Sequence, residues 1–198
     1  GIAAAGRAGG PGKCSGGRSE PFLGAAQAGG VAGTAELALD DDGRFLGVRG
    51  SNLVNTGATA VGFSPLQKGV AIASSIYHVP AVHFRARGSL TNTAPTRPYR
   101  SAGRPEAIYA IERVIDIAAK QFGYDRIDLR RRNIIPPKAQ PYTTPLGMTY
   151  DCGDYAKIMA RALALSDWKG YNKRKRGSKR NKTPGGIGLA NSQEITSG

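Results

Sequence analysis

The apolar residues between positions 105 and 122 recur at three- and four-residue intervals, which is the spacing of an amphipathic helix with one buried face. They are Ile108, Ile111, Ile115, Ala118 and Phe122. Pro105 suits the first turn of a helix, and Gly123 suits the position just after its end. The sequence therefore predicts a helix over 105–122. Similar spacing predicts another helix near 154–167, with Met159 as core filler in its apolar face.

A shorter helix is predicted between these two, from Asp125 to Asn133. The Asp125 carboxylate can accept hydrogen bonds from the first amides of this helix, and Asp128 follows three residues later. The run Arg130–Arg132 could bind an anion, but such a run more commonly forms a charged helix face. We therefore predict that these arginines are exposed.

Segments with partial alternation of apolar and polar residues predict strands earlier in the chain. Two of them flank the acidic turn Asp40–Gly43, which predicts an antiparallel hairpin near 34–55. A further strand is predicted near 79–92, with His83 on its surface. Residues 55–70 contain several glycines and a proline and are expected to form a loop. Together these elements predict an α+β fold with antiparallel strands and amphipathic helices.

Positive charge is concentrated near the C-terminal end. The chain has a formal net charge of +14, and Lys169–Lys182 holds eight Lys or Arg residues and no acidic residue. A basic nucleic-acid-binding module is one interpretation, since lysine and arginine neutralise phosphates. No ladder of aromatic residues accompanies the run, and blocks of like charge are usually solvated. We therefore favour a basic linker over 169–184 and keep the nucleic-acid-binding module as the alternative.

Cysteine and histidine usage gives little reason to expect a metal or a disulfide. Cys14 and Cys152 lie far apart and have no metal-ligand spacing, and the chain has only two histidines. We expect two unrelated reduced thiols, as in a cytoplasmic protein. No apolar run reaches the roughly 18 residues that a membrane span needs.

The segment between the strand near 79–92 and the long helix has the composition of an anion site. Ser101, Ala102 and Gly103 are small, so a ligand or another backbone can approach closely. A helix N-terminus follows them, and Arg100 and Arg104 flank them, an arrangement that favours negative charge. The alternative is an ordinary connection between a strand and a helix, with two solvated arginines.

Residues 99–107 read Tyr-Arg-Ser-Ala-Gly-Arg-Pro-Glu-Ala. This segment resembles the active-site loop of the molybdenum-binding large subunits of the xanthine dehydrogenase family, and most of all the aerobic carbon monoxide dehydrogenase-like members. Other segments that fit the same family are Thr91–Thr93, Leu129–Asn133, Pro141–Pro145 and Glu194–Gly198. The resemblance covers about residues 18–198. It implies a central fragment of a molybdopterin-binding domain.

The resemblance also implies how the chain is divided. Residues 1–17 would be a Gly/Ala-rich start that is degraded or frayed, and residues 18–168 would be the central part of the molybdopterin-binding domain. Residues 169–184 would be the basic linker. Residues 185–198 would begin a strand of the following domain.

The resemblance further implies a chemistry. Members of the family hydroxylate a carbon centre, or oxidise carbon monoxide, at a molybdenum bound by a molybdopterin-type cofactor. Iron–sulfur clusters and FAD on partner subunits take the electrons away. By position, Arg100, Ser101, Ala102 and Gly103 would contact the cofactor. Ser101, Ala102 and Lys68 would line the cavity for a small-molecule substrate.

Partners follow from the same resemblance. It implies an iron–sulfur subunit, a flavin subunit and a homodimer of the resulting heterotrimer, in the cytoplasm and without a membrane. No glutamate of this chain matches the context of the family's catalytic glutamate. We therefore expect no catalytic residue within the chain, and we expect the chain alone to be inactive.

Two positions depart from the family's best-known members. Carbon monoxide dehydrogenases carry a copper-binding cysteine where this chain has Ser101, and a hydroxyl is a poor ligand for a soft metal. Xanthine-oxidising members place a phenylalanine at Ala102 to stack on the purine. The resemblance therefore implies oxidation of an aldehyde or a heterocycle that is held in another way.

Overall fold

The computed structural model describes residues 30–62, 64–98, 101–183 and 185–194. Its strands are β1 (Val31–Leu39), β2 (Phe45–Gly57), β3 (Ala81–Leu90), β4 (Tyr142–Thr143) and β5 (Thr149–Tyr150). Its α-helices are α1 (Ser64–Ala71), α2 (Arg104–Phe122), α3 (Arg126–Asn133), α4 (Tyr155–Leu165) and α5 (Tyr171–Arg180). The predicted α+β class is confirmed. Predictions that concern residues 1–17, Cys14, Arg100 and residues 195–198 lie outside the described residues.

The main sheet has the order β1-β2-β3. Strands β1 and β2 form the predicted antiparallel hairpin, whose turn is closed by Asp40: its Oδ1 accepts hydrogen bonds from the amides of Asp42 (3.0 Å) and Arg44 (2.7 Å). Strand β3 pairs with β2 in parallel, with Gly47 opposite Ala81. The prediction of antiparallel strands is therefore wrong for β3 in this sheet, because the crossover through α1 returns the chain in the direction of β2.

Helix α2 contributes Ile111 and Ile115 to the core, where they join buried residues from the sheet and from α3. The described core members are Phe45, Val48, Ile76, Tyr77, Val79, Ile111, Ile115, Ala119, Ile127, Leu129, Ile134 and Met159. The predicted stripe is correct in its middle and wrong at Phe122, which is 59% exposed at the last position of the helix. Met159 is buried, as predicted.

Two segments differ from the predictions. The predicted loop 55–70 contains the end of β2 and most of α1. The predicted linker contains the helix α5, which has no buried residue among its ten. Lysine and arginine are good helix formers, so a charged segment can be helical and solvated together. Residues 185–194 pair with none of the described strands, so the strand of a following domain that would begin here stays a prediction.

Residues 141–151 contain the small hairpin of β4 and β5. In the part of the chain that the structure describes, no helix is both long and apolar enough to cross a membrane. The division into domains stays a prediction.

Candidate cofactor site

The segment Ser101–Gly103 is a tight turn that leads directly into α2. Ser101 has a φ of 65° and Gly103 has a φ of 83°, so both lie in the left-handed region. The Arg104 amide donates to the Ser101 carbonyl (2.9 Å) and closes the turn. Glycine adopts this conformation freely, whereas a serine there costs on the order of 1–2 kcal/mol. The surroundings of Ser101 must therefore hold it in place.

Helix α1 packs against this turn at Gly69. A methyl group added at Gly69 would lie 2.7 Å from the carbonyl oxygen of Gly103, so a side chain here would push the two backbones apart. Gly69 and Gly103 are both buried. Lys68 is the neighbour of Gly69 and is exposed. The contact between the helix and the turn therefore brings the backbone of Lys68 near the predicted cofactor loop.

On another side, the carboxylate of Glu194 contacts two residues of the turn and helix start. Ser101 Oγ donates to Glu194 Oε2 (2.6 Å), and Arg104 Nη1 forms an ion pair with Glu194 Oε1. Arg104 is only 8% exposed, so its charge is largely removed from water. In the sequence, Glu194 stands only within a segment that resembles the family. Its contact with the turn could not be predicted, because more than 90 residues separate the two.

The predicted site residues fall into two groups. Ser101, Ala102 and Gly103 lie together in the turn, where Ser101 and Ala102 are half-buried. Lys68 lies on α1 beside it, and Arg100 lies outside the described residues. Their assignment to cofactor and substrate cavity stays a prediction.

The donors around the turn suit an electron-rich ligand. Arg104 Nε is buried and has no hydrogen-bond partner among the described residues. A buried donor without an acceptor costs about 1–3 kcal/mol, and an oxygen of a bound oxo or phosphate group would remove that cost. The helix dipole of α2 adds partial positive charge at the same end. The residues present therefore fit the anionic cofactor that the resemblance implies.

A second group of polar residues is buried behind α2. The Arg130 guanidinium is 0% exposed and donates from Nε to Glu112 Oε2 (2.8 Å) and from Nη1 to Asp116 Oδ1 (2.8 Å). Tyr77 OH donates to Glu112 Oε1 (2.6 Å). Burial, reinforced by the Glu112 carboxylate, raises the pKa of Tyr77 well above its usual value. The prediction that Arg130 belongs to an exposed charged face is wrong.

Arg131 and Arg132 are exposed, as the prediction for Arg130–Arg132 required. Arg131 pairs with Asp128 at the surface. Neither the hairpin turn nor any other described part of the chain gathers three or more His, Cys, Asp or Glu residues that could hold a metal. Cys152 is exposed and forms no disulfide.

Comparisons with known proteins identify the class of protein to which this loop and fold belong. A sequence model described as the molybdopterin cofactor-binding domain matches residues 1–134. The carbon monoxide dehydrogenase large chain of Hydrogenophaga pseudoflava is 33% identical over 168 residues, which are 81% of this chain and 21% of that protein. The 6-hydroxypseudooxynicotine dehydrogenase complex subunit gamma of Paenarthrobacter nicotinovorans is 34% identical over 164 residues, or 78% of this chain and 20% of that protein.

A crystal structure agrees with these relatives. Quinoline 2-oxidoreductase from Pseudomonas putida 86 superimposes with a TM-score of 0.76 at 30% identity, over 83% of this chain and 21% of that chain. The chain therefore belongs to the molybdopterin cofactor-binding domain family, and the predicted resemblance is confirmed. It spans about a fifth of the length of the curated relatives it matches. None of these matches supports the nucleic-acid-binding alternative.

Proposed function

We propose that this chain is a segment of the catalytic large subunit of a molybdenum hydroxylase. The full protein would be an oxidoreductase that adds an oxygen atom from water to an aldehyde or a heterocycle. The family match supports this proposal. The observation that carries it is the left-handed turn Ser101–Gly103 at the start of α2, with the buried donor of Arg104 beside it. The turn lies within residues 99–107, the segment that resembles the active-site loop of the family.

The molybdenum cofactor supplies the redox chemistry when it is bound. The residues of this chain that would hold it are Arg100, Ser101, Ala102 and Gly103. Gly103 admits a close approach because it has no side chain, and Arg104 Nε offers a donor for an electron-rich oxygen. The N-terminus of α2 favours an anionic group over a neutral one.

Ser101 and Ala102 would shape the substrate cavity. A serine hydroxyl offers no thiolate to copper, so a copper-dependent oxidation of carbon monoxide is not expected. Alanine offers no aromatic ring, so a purine would lack a stacking platform here. Lys68, close to the turn through Gly69, would offer a flexible cation to a polar group of the substrate. An aldehyde or a differently held heterocycle fits these properties.

The proposal includes partners. Hydroxylation by water removes two electrons and two protons from the substrate and water together, so the full protein needs an electron acceptor. An iron–sulfur subunit and a flavin subunit with FAD would fill this role, in a homodimer of the heterotrimer. One of the relatives is named as a subunit of a complex, which supports a multi-subunit protein. We place the protein in the cytoplasm.

The test is metal and pterin analysis of the intact parent enzyme, together with turnover. We expect one molybdenum and one pterin per large subunit, no copper, and dye reduction with an aldehyde or a heterocycle. Stoichiometric copper with dye reduction that depends on carbon monoxide would overturn the substrate proposal. Absence of molybdenum and pterin from a folded, fully assembled protein would overturn the cofactor proposal. The variant Ser101→Cys alone should not produce carbon monoxide oxidation, because copper also needs further support from the cavity around it.

A further inference from the structure

One carboxylate joins the predicted cofactor loop to a segment near the C-terminal end. Glu194 accepts a hydrogen bond from Ser101 Oγ with one oxygen (2.6 Å) and pairs with Arg104 through the other. A single group thus contacts both ends of the turn, at Ser101 and at the first residue of α2. Such a two-pronged, charge-assisted contact restrains the turn more than a hydrogen bond to either residue alone.

The segment that carries Glu194 is itself anchored at other points. The Asn191 side chain is buried and donates from Nδ2 to Tyr77 OH (2.9 Å), and the Asn191 carbonyl accepts from Ser75 Oγ (3.3 Å). Further upstream, the Ile187 carbonyl accepts from Arg126 Nη2 (3.1 Å). Tyr77 belongs to the buried group around Glu112, so the segment rests on the core. The backbone on which Glu194 stands is therefore fixed independently of the turn.

The turn needs an external restraint for two reasons. Ser101 lies in the left-handed region, which a serine leaves readily when nothing holds it. Arg104 is buried, and a buried cation without a counter-charge is unfavourable. Glu194 meets both needs, since it fixes the Ser101 hydroxyl and neutralises the Arg104 guanidinium. Gly69 supports the opposite side through a close backbone contact with Gly103.

We propose that Glu194 is a positioning residue that holds the Ser101–Gly103 turn in its left-handed conformation, ready for its ligand. Glu194 touches neither cofactor nor substrate in this role and acts through Ser101 and Arg104. The proposal deepens the proposed function, on which it rests for the identity of the ligand. The restraint itself can be tested without any ligand.

The sequence provides a selective probe of the turn. Trypsin cleaves after lysine and arginine but not before proline, so the bonds Arg97–Pro98 and Arg104–Pro105 are resistant. The Arg100–Ser101 bond remains as the tryptic site at the turn. The rate of its cleavage in the full 198-residue chain, followed by mass spectrometry, reports how often the turn opens. The Arg113–Val114 bond in the middle of α2 provides an internal reference for global unfolding.

The variant Glu194→Gln keeps the size of the side chain and removes its charge. We expect cleavage at Arg100–Ser101 to become faster by about tenfold, with the rate at Arg113–Val114 unchanged, since a charge-assisted contact is lost only at the turn. The matched control is Glu36→Gln, which removes an exposed ion pair to Arg49 on the sheet. This control should leave the rate at Arg100–Ser101 within about twofold of the wild-type rate.

Further variants separate the outcomes. If Glu194 acts through Ser101, the double variant Ser101→Ala/Glu194→Gln should be cleaved less rapidly than the product of the two single effects predicts. Unchanged cleavage in Glu194→Gln would overturn the proposal. An equal rise at both bonds would also overturn it, because Glu194 would then support the whole fold and not the turn.

Binding of the cofactor distinguishes this proposal from the proposed function. In the intact parent enzyme, Glu194→Gln should lower the pterin content measured after purification, while Glu36→Gln should not. If cleavage at Arg100–Ser101 rises but the wild-type enzyme contains no pterin, the positioning role stands and the proposed function fails. If the wild-type enzyme contains pterin and cleavage does not rise, the proposed function stands and the positioning role fails.

Discussion

Replacement of Arg130 by methionine should destabilise the chain more than any neighbouring arginine replacement. Methionine is similar in length and apolar, so Arg130→Met removes the charge while much of the packing remains. It leaves the Glu112 carboxylate, which is 6% exposed, without its cation. It also leaves the Asp116 carboxylate and the main-chain carbonyls of Glu112 and Arg126 without their Arg130 donors.

The magnitude follows from the burial of the partners. Removal of one member of a buried ion pair costs about 3–5 kcal/mol of the free energy of unfolding. Asp116 is partly exposed and can regain water, and the Tyr77 hydroxyl still donates to Glu112. The expected loss is therefore about 3 kcal/mol, at the lower end of that range. For a chain of this length, it corresponds to a fall of roughly 6–12 °C in Tm.

The assay is thermal and urea unfolding of the full chain, followed by circular dichroism. Arg131→Met is the matched control, since Arg131 lies on the same helix and pairs with Asp128 at the surface, where the two side chains are 55% and 59% exposed. Exposed pairs contribute about 0–1 kcal/mol, so this control should change Tm little. Equal shifts in the two variants would refute the reasoning. Glu112→Gln combined with Arg130→Met should lose less than the sum of the single variants, since less unpaired charge is buried.

Three further predictions concern other parts of the chain. Burial raises the pKa of Tyr150 to about 12, so the folded state retains a proton that the unfolded state releases near pH 10. The free energy of unfolding should therefore fall as the pH rises from about 10 to 12. Tyr150→Phe should weaken this pH dependence, whereas replacement of the exposed Tyr109 by phenylalanine should not. Asn133→Ala should lower the free energy of unfolding in urea by about 2–4 kcal/mol, because the Asn133 side chain forms hydrogen bonds with Phe45 N, Gly43 O and Leu129 O. The control Asn181→Ala, at an exposed position, should lower it by less than about 1 kcal/mol. Binding of the chain to duplex DNA at physiological salt should be weaker than micromolar in a fluorescence titration, and submicromolar binding that falls steeply with salt would favour the nucleic-acid alternative.

Local sequence patterns were sufficient to predict where α2 ends and where α3 begins. Gly123 ends α2 in the left-handed conformation, with a φ of 75°, and its amide donates to the Ala119 carbonyl. Asp125 Oδ1 accepts from the amides of Ile127 (2.8 Å) and Asp128 (3.0 Å), as the capping prediction required. These contacts connect residues at most four positions apart. The sequence pattern therefore contains all the information that they need.

Helix α1 shows why other elements could not be predicted. Its glycine, Gly69, disfavours a helix by about 1 kcal/mol relative to alanine and suggested a loop. The structure uses Gly69 for its close approach to Gly103, a partner 34 positions away. Glu194 was missed for the same reason, because its contacts with Ser101 and Arg104 depend on how the chain returns to the turn. Such long-range contacts leave no mark in a local pattern.

The burial of Arg130 is indicated by the sequence of a different helix, α2. Glu112 and Asp116 are four positions apart on α2, where two like charges destabilise an isolated helix by a few tenths of a kcal/mol. They follow Ile111 and Ile115, which face the core, so a cation close to the core is needed to offset them. The short connection from α2 to α3 makes the two helices neighbours. On α3, Arg130 lies three positions after the buried Ile127, and only this member of the arginine run faces inward. An acidic pair beside an apolar stripe, followed by an arginine run on the next helix, therefore favours one buried arginine over a uniformly solvated face.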